Sequence, residues 1–399
     1  MSEILLPTSA PTPRTEPVTS LRPGATLAPA AASVAAAASL APRLFAQAPY
    51  SDQEGGFPTE EFIWLREAGL LTAALPPDIG GSGLGHPSHA LELLRTLRHI
   101  GRGNLAVGRV YEGHVNALLL LQRYGRPAQI ARWATAARTG HLFGVWNTEA
   151  HDGVKLEPLP NGRYRLQGSK TFGSGAGSVT RPLLTAQLPD GGWQMLILPA
   201  DEQPPVLDTS FWRPLGMRAT ASFRVDFSGL EIGADDLLGH PGDYYQQPWF
   251  SGGATRFAAV QLGGAEAIFD ETRRFLRDLK RTDDPYQRQR LGEMALLVES
   301  GNHWLQAAAA YESKSATDAE SAVAHANMVR TAIEEICLRI LPLAERCVGA
   351  RGLLRPEPFE RLHRDLTHYL RQPAPDAAQA DVGRYALEKT SPAYRLWND

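Results

Sequence analysis

His141-Leu-Phe-Gly-Val-Trp-Asn147-Thr148-Glu149, a polar loop, and then Pro160-Asn161-Gly162 leading into Tyr164-Arg-Leu-Gln-Gly-Ser169-Lys170-Thr171-Phe172-Gly173-Ser174-Gly175 is where helical sequence gives way to a strand, turn, strand pattern. Asn-Gly between two strand-like runs is a short-range hairpin signal, because both residues tolerate positive φ. The runs end in small polar residues. Thr148 and the Gly173 to Gly175 segment place hydroxyls and backbone N–H groups, unscreened by large side chains, at strand ends where a planar cofactor can lie. The same pattern also describes an ordinary hairpin that ends in loops.

Outward from this stretch, 399 residues at 43% hydrophobic content suffice for a large core and suggest two or three domains. A formal charge of −3, with Lys and Arg scattered among Asp and Glu, gives no footprint for nucleic acid or for an acidic membrane surface. Cys337 and Cys347 are the two cysteines, with no Cys or His spacing of a metal site, so a reducing cytosolic compartment is expected. No run approaches the roughly 20 continuous apolar residues of a membrane span.

Residues 1–29, rich in Pro, Thr and Ser, read as a disordered leader. The alanine-dense run Ala30 to Ala46 reads as an amphipathic helix rather than a signal-peptide cleavage region, since a nearby basic segment is weak. Helical patterns follow from Thr59, a candidate N-cap, then over Ser88 to Ile100, Leu105 to Tyr124 and Pro127 to Thr139. The glycines between Gly80 and Gly85 lack a preceding strand and a Walker lysine, so they form a connecting loop. Further strands are expected over Leu183 to Leu188, Trp193 to Leu198 and Phe223 to Ile232, with Asp190-Gly191-Gly192 as a hairpin turn. Beyond Pro241 the pattern is helical again. Ala258, Leu262, Ala265 and Phe269 share one face, and Val329, Ile333, Ile336, Ile340 and Cys347 share another. The order of helices, strands, helices gives an α+β class: an N-terminal helical domain (30–140), a central β-domain (141–240) and a C-terminal four-helix-bundle domain (241–399).

From about Phe57 to Arg384 the chain resembles the acyl-CoA dehydrogenase superfamily. Three segments carry the likeness. Phe57 to Leu71 with the Gly80 to Gly85 loop is similar to the family's first helices. Trp212-Arg-Pro-Leu-Gly216-Met217-Arg-Ala-Thr220 through Asp236-Leu-Leu-Gly239 is similar to the stretch leaving its β-domain. Gly349-Ala350-Arg351-Gly352 is similar to its Gly-Gly-aromatic-Gly turn. The resemblance implies a flavin, FAD with FMN as the alternative, in a homodimer or homotetramer that acts on a small substrate such as an acyl thioester. An electron-transfer flavoprotein or a flavin reductase is the implied redox partner. It implies that Asn147 and Thr148 meet the flavin ring and that Phe172, Gly173 and Ser174 pack on it. Arg281, Arg346, Gly349, Ala350 and Gly352 then serve its distal half, Arg281 from a neighbouring subunit, and Arg256 and Gln372 face the substrate.

The departures from the family are as informative as the matches. The serine of Thr-Glu-Pro-Gly-Ala-Gly-Ser-Asp is lost in Thr148 to Lys155, and Arg346 stands where a glutamine is expected. Ordinary dehydrogenation needs a carboxylate to remove the α-proton. Pro373 and Thr255 occupy the two positions where the family carries that glutamate. Asp376 and Asp152 are the candidate substitutes, with Glu149 a weaker one. Three functions are therefore open: an acyl thioester dehydrogenase, a two-component flavin monooxygenase on the same scaffold, and a non-catalytic flavin- or acyl-CoA-binding homologue.

Overall fold

The structure is a computed structural model that describes residues 28–314 and 318–397, so the leader expected over 1–29 lies almost wholly outside the described residues. The first helix, α1 (Pro29–Ser51), opens on a proline, which is well suited to the first helical position because its missing N–H is unneeded there. Next come α2 (Thr59–Glu67), α3 (Ala90–Gly103), α4 (Leu105–Tyr124) and α5 (Pro127–Arg138). Thr59 is the first helical residue rather than the cap. Pro58 holds the cap position and no side chain bonds there. Between α3 and α4 the chain turns sharply at Asn104, whose side-chain oxygen accepts from the N–H groups of Ala106 (3.0 Å) and Val107 (3.4 Å).

The strands are β1 (Phe143–Trp146), β2 (Lys155–Pro158), β3 (Tyr164–Gln167), β4 (Ser169–Gly173), β5 (Arg181–Gln187), β6 (Trp193–Ile197), β7 (Val206–Asp208), β8 (Phe223–Asp226), β9 (Glu231–Ile232) and β10 (Leu237–Leu238). One sheet runs β10-β6-β5-β2-β3-β9 with β1 paired to β5, and a smaller sheet runs β4-β8-β7. The Asn161-Gly162 turn does close a hairpin, but between β2 and β3. β1, read as the first arm, instead runs parallel to β5, and a parallel pair cannot be joined by a tight turn. The polar loop thus hides strand β2. Only Gly162 takes positive φ (75°), while the Asn161 side chain accepts from Arg163 N–H (3.0 Å). The turn at Gly191 joins β5 to β6 as expected. Gly168 (φ 105°) lets the chain cross from one sheet to the other. A Cβ there would sit 2.3 Å from the Gly153 carbonyl oxygen.

The C-terminal helices are α6 (Trp249–Asp278), α7 (Pro285–Lys314), α8 (Ala319–Gly352), α9 (Phe359–Tyr369) and α10 (Pro375–Glu388). Helix α6 is central, packed on α3 to one side and on α7 and α8 to the other. Its approach to α3 is backbone to backbone. A Cβ on Gly101 would lie 2.3 Å from Val260 O, and one on Gly263 would lie 2.1 Å from Arg98 O. The α8 face from Val329 to Cys347 is buried within this one chain, so it is not the uncovered apolar surface that would call for a second subunit. No helix among the described residues is long and apolar enough to cross a membrane, and no cluster of metal-ligating side chains occurs among them.

The glycine crossing is testable by paired substitutions. Gly263→Ala forces α3 and α6 apart and should lower stability by about 1–3 kcal/mol. Gly292→Ala, on an open face of α7, should leave stability unchanged or raise it by up to about 1 kcal/mol. Thermal unfolding of the two variants checks this. Equal behaviour would show that the crossing tolerates a methyl group.

Candidate active site

Two walls meet at the end of β1. On the sheet side, the segment after β1 is stitched to β4 by Thr171 N–H donating to Thr148 O (2.9 Å) and by a bridge between Glu149 and Lys170. Lys170 is fully buried and donates to the Glu149 carboxylate and to Thr185 Oγ1 (3.1 Å). Burial holds its amine below the ordinary lysine value, against the pull of Glu149. Thr185 in turn donates to Asn147 Oδ1 (2.6 Å), so Asn147, Glu149 and Lys170 serve as pins within the sheet. Glu149 is thereby removed as a base.

At the strand end Phe172 sits in the left-handed region (φ 54°) with its ring 49% exposed. It stands edge-on to Phe211 (5.3 Å) and Trp212 (6.2 Å), and Trp212 stands edge-on to His368 of α9 (5.4 Å). Thr148 lies exposed beside this ring. The Ser174 hydroxyl shares hydrogens with Ser222 (2.9 Å), which contacts Thr220 (2.8 Å). The Tyr369 hydroxyl of α9 is buried within electrostatic reach of Glu112 and Arg109, with no hydrogen-bond partner among the described residues. An uncovered aromatic platform and flanking hydroxyls fit a flavin ring, whose faces are apolar and whose edge atoms accept and donate hydrogen bonds.

Val145 of β1 belongs to the second wall, a cavity of about 410 Å³ enclosed by α4, the Tyr244 to Pro248 loop, α6, α7 and α8. A buried polar chain runs into it. Arg109 pairs with Glu112 (2.6 Å), Asn116 donates to Glu112, and Arg256 Nε donates to Asn116 Oδ1. His325 stacks on Tyr311 (3.7 Å, 8°), and burial pushes its pKa down to about 4, so it is neutral at pH 7.

Of the residues read from sequence, Thr255 and Arg256 line the cavity, while Asn147, Thr148, Phe172, Gly173 and Ser174 converge at the sheet wall. Gln372 lies at the end of α9, donating to Tyr369 O (2.8 Å). Pro373 and Asp376 are exposed and outside the cavity. Asp152 is outside it as well. Desolvation works against it, but the Ser169 hydroxyl (2.9 Å) and the Arg224 guanidinium hold its carboxyl below the usual range, which makes it a poor base. Neither substitute base is thus placed at the cavity. Arg281, Arg346, Gly349, Ala350 and Gly352 gather at the far end of the bundle, roughly 33 Å along α6 from Arg256. There Gly349 breaks α8 at φ 60°. They are therefore remote from the cavity end of α6.

Sequence reading missed Arg109, Glu112, Asn116, Arg123, Tyr244, Glu312, His325 and Tyr369. A signal was present for three of them: Arg109, Glu112 and Asn116, spaced three and four apart, put polar groups on a helix whose buried residues, His114 apart, are otherwise largely apolar.

Comparison with known proteins agrees with this architecture. The family model "Acyl-CoA dehydrogenase, N-terminal domain" matches residues 30–141, and "Acyl-CoA dehydrogenase, C-terminal domain" matches residues 242–369. The chain is 26% identical over 378 residues to a dibenzothiophene monooxygenase of Mycolicibacterium goodii, covering 86% of this chain and 90% of the relative. It is 27% identical over 389 residues to a probable FMNH2-dependent monooxygenase, SfnC, of Pseudomonas putida, covering 88% and 93%. The crystal structure of FMN-bound TdsC from Paenibacillus sp. A11-2 superposes with a TM-score of 0.82 at 22% identity, over 92% of this chain and all of that one. With both helical ends matched by one family and the β-domain between them, the chain belongs to the acyl-CoA dehydrogenase superfamily.

Proposed function

We propose that this chain is the oxygenase component of a two-component flavin monooxygenase, taking reduced FMN from a separate reductase and adding one atom of O2 to a small substrate. The balance is substrate, O2 and reduced flavin giving oxygenated substrate, oxidised flavin and water. The observation that carries the reading is an intact cavity with no carboxylate at either position where the family carries its base: Thr255 lines it with its hydroxyl bonded back to Gly252 O (2.8 Å), and Pro373 lies outside. A dehydrogenase needs that carboxylate, whereas reduced flavin bound here would itself supply the electrons for oxygen.

The protein's own residues position and shelter. Phe172 and Trp212 exclude water from one face of the ring, and Thr148 and Ser174 bond its edge. FMN rather than FAD is favoured by Arg346 and the Ala350-Arg351 pair, which depart from the family at the adenine half, and by the FMN of TdsC and the FMNH2 of SfnC. The reading includes a homodimer or homotetramer, supported by the exposed Arg281 and Gly349 turn, which one chain leaves away from its own flavin wall.

Two outcomes follow. Supplied with a flavin reductase, FMN and small sulfur or aromatic compounds, the protein should yield product carrying one oxygen from ¹⁸O2, while saturated acyl-CoAs should leave oxidised flavin unbleached without oxygen. Rapid anaerobic bleaching by an acyl-CoA would restore the dehydrogenase reading. Thr148→Val should weaken flavin binding about 2- to 10-fold, the value of one hydrogen bond in a dry site, as read by fluorescence titration. Unchanged affinity would remove Thr148 from the flavin's edge.

A further inference from the structure

The cavity's charge is unbalanced. Its ionisable lining consists of two guanidiniums, Arg123 and Arg256, one carboxylate, Glu312, and the neutral His325, besides tyrosines. Arg256 is only 9% exposed. Its Nε is taken by Asn116, and Nη1 stands 3.9 Å from Glu312 Oε1, outside hydrogen-bond range, so among the described residues neither Nη group makes a hydrogen bond. Arg123 has its guanidinium over the Trp249 ring (3.9 Å) and has no hydrogen bond or ion pair among the described residues. Burial lowers its pKa, while the Glu312 charge opposes and the Arg256 charge adds to that effect. Trp249, Gly252 and Gly253 open α6, whose first turn carries no acidic residue, so the positive end of that helix also borders the cavity.

A guanidinium whose outer fork opens on a cavity unbonded is a ready donor to any ligand group that can accept both N–H groups. A carboxylate or a sulfur oxyanion has two oxygens at the spacing of that fork. Apart from Asn116, Gln122 and Thr255, the remaining lining, including Leu119, Leu120, Trp249 and Phe250, carries no polar side chain, and the volume lies at the small end for ligand pockets. We infer that the substrate of this cavity is a small organic anion, a carboxylate or sulfinate on an apolar body, with the anionic group held between Arg256 and Arg123. This rests on the oxygenase reading for its chemistry, but its recognition is measurable without turnover.

The test is calorimetric binding of benzoate, benzenesulfinate and the neutral benzamide to the purified chain without flavin. At least one anion should bind about tenfold or more tightly than benzamide, in keeping with a charge-assisted bond over a neutral one. Arg123→Gln, at an exposed position with no hydrogen bond to lose, should remove about fivefold or more of that preference with benzamide unchanged. Arg256→Lys, which keeps the charge and loses the fork, should reduce it too. Benzamide binding as tightly as both anions overturns the inference. So does anion binding abolished by saturating FMN, which would give the guanidiniums to the flavin phosphate. Either result leaves ¹⁸O incorporation, and with it the oxygenase reading, to stand or fall separately.

Discussion

The site depends on one backbone contact. Where α3 crosses α6, Gly101 and Gly263 each face a peptide carbonyl of the other helix at a distance no side chain would allow. Peptide atoms cannot rotate aside as a side chain can, so the contact fixes both the spacing and the rotation of α6. Arg256 lies two turns before Gly263, roughly 10 Å along the axis, and inherits that placement. Helix α4, turned back by the Asn104 cap, is set by the same contact and brings Asn116 against Arg256.

The polar chain from Arg109 through Glu112 and Asn116 to Arg256 runs between helices that apolar side chains would join at lower cost. Buried ions lose hydration that their mutual attraction only partly returns, so such a chain is weak evidence for stability. Its effect at the cavity is specific. Asn116 occupies the inner N–H of the Arg256 guanidinium and orients the planar group, leaving the outer fork on the cavity wall. On the other side of β1, the Lys170, Glu149, Thr185 and Asn147 bonds hold the sheet wall in place. Strand β1 therefore carries the boundary between the two walls, from Val145 at the cavity to Thr148 beside Phe172.

Much of this was legible in the residues. Leu105 to Tyr124 reads as a helix and forms one over the same span, because its capping asparagine and apolar content agree. Strand β2 was not legible, because Lys155 to Pro158 buries only Leu156 and gives no alternation for a pattern to catch. Asn147, Thr148, Phe172 and Ser174 could be read as one group because they lie within about thirty residues of one another in sequence. The cavity could not, since its walls come from six parts of the chain between Gly85 and Ala326. Asp152 and Asp376 show the same limit. Both are near the right motifs in sequence, and both end up outside the cavity, one of them tied to Arg224.

What the sequence by itself determined is the order of helices, strands and helices, the glycines that permit close crossings, and the absence of a glutamate at Pro373 and Thr255. These are properties of residue type and local period, and they survive without knowledge of any partner. Only the tertiary structure decided which ions share a space, because hydrogen bonding, desolvation and charge balance depend on neighbours hundreds of residues away. Arg256 reads from the sequence as a substrate residue, but only the folding of α4 beside α6 brings Arg123 to the same cavity, with Glu312 as its one carboxylate.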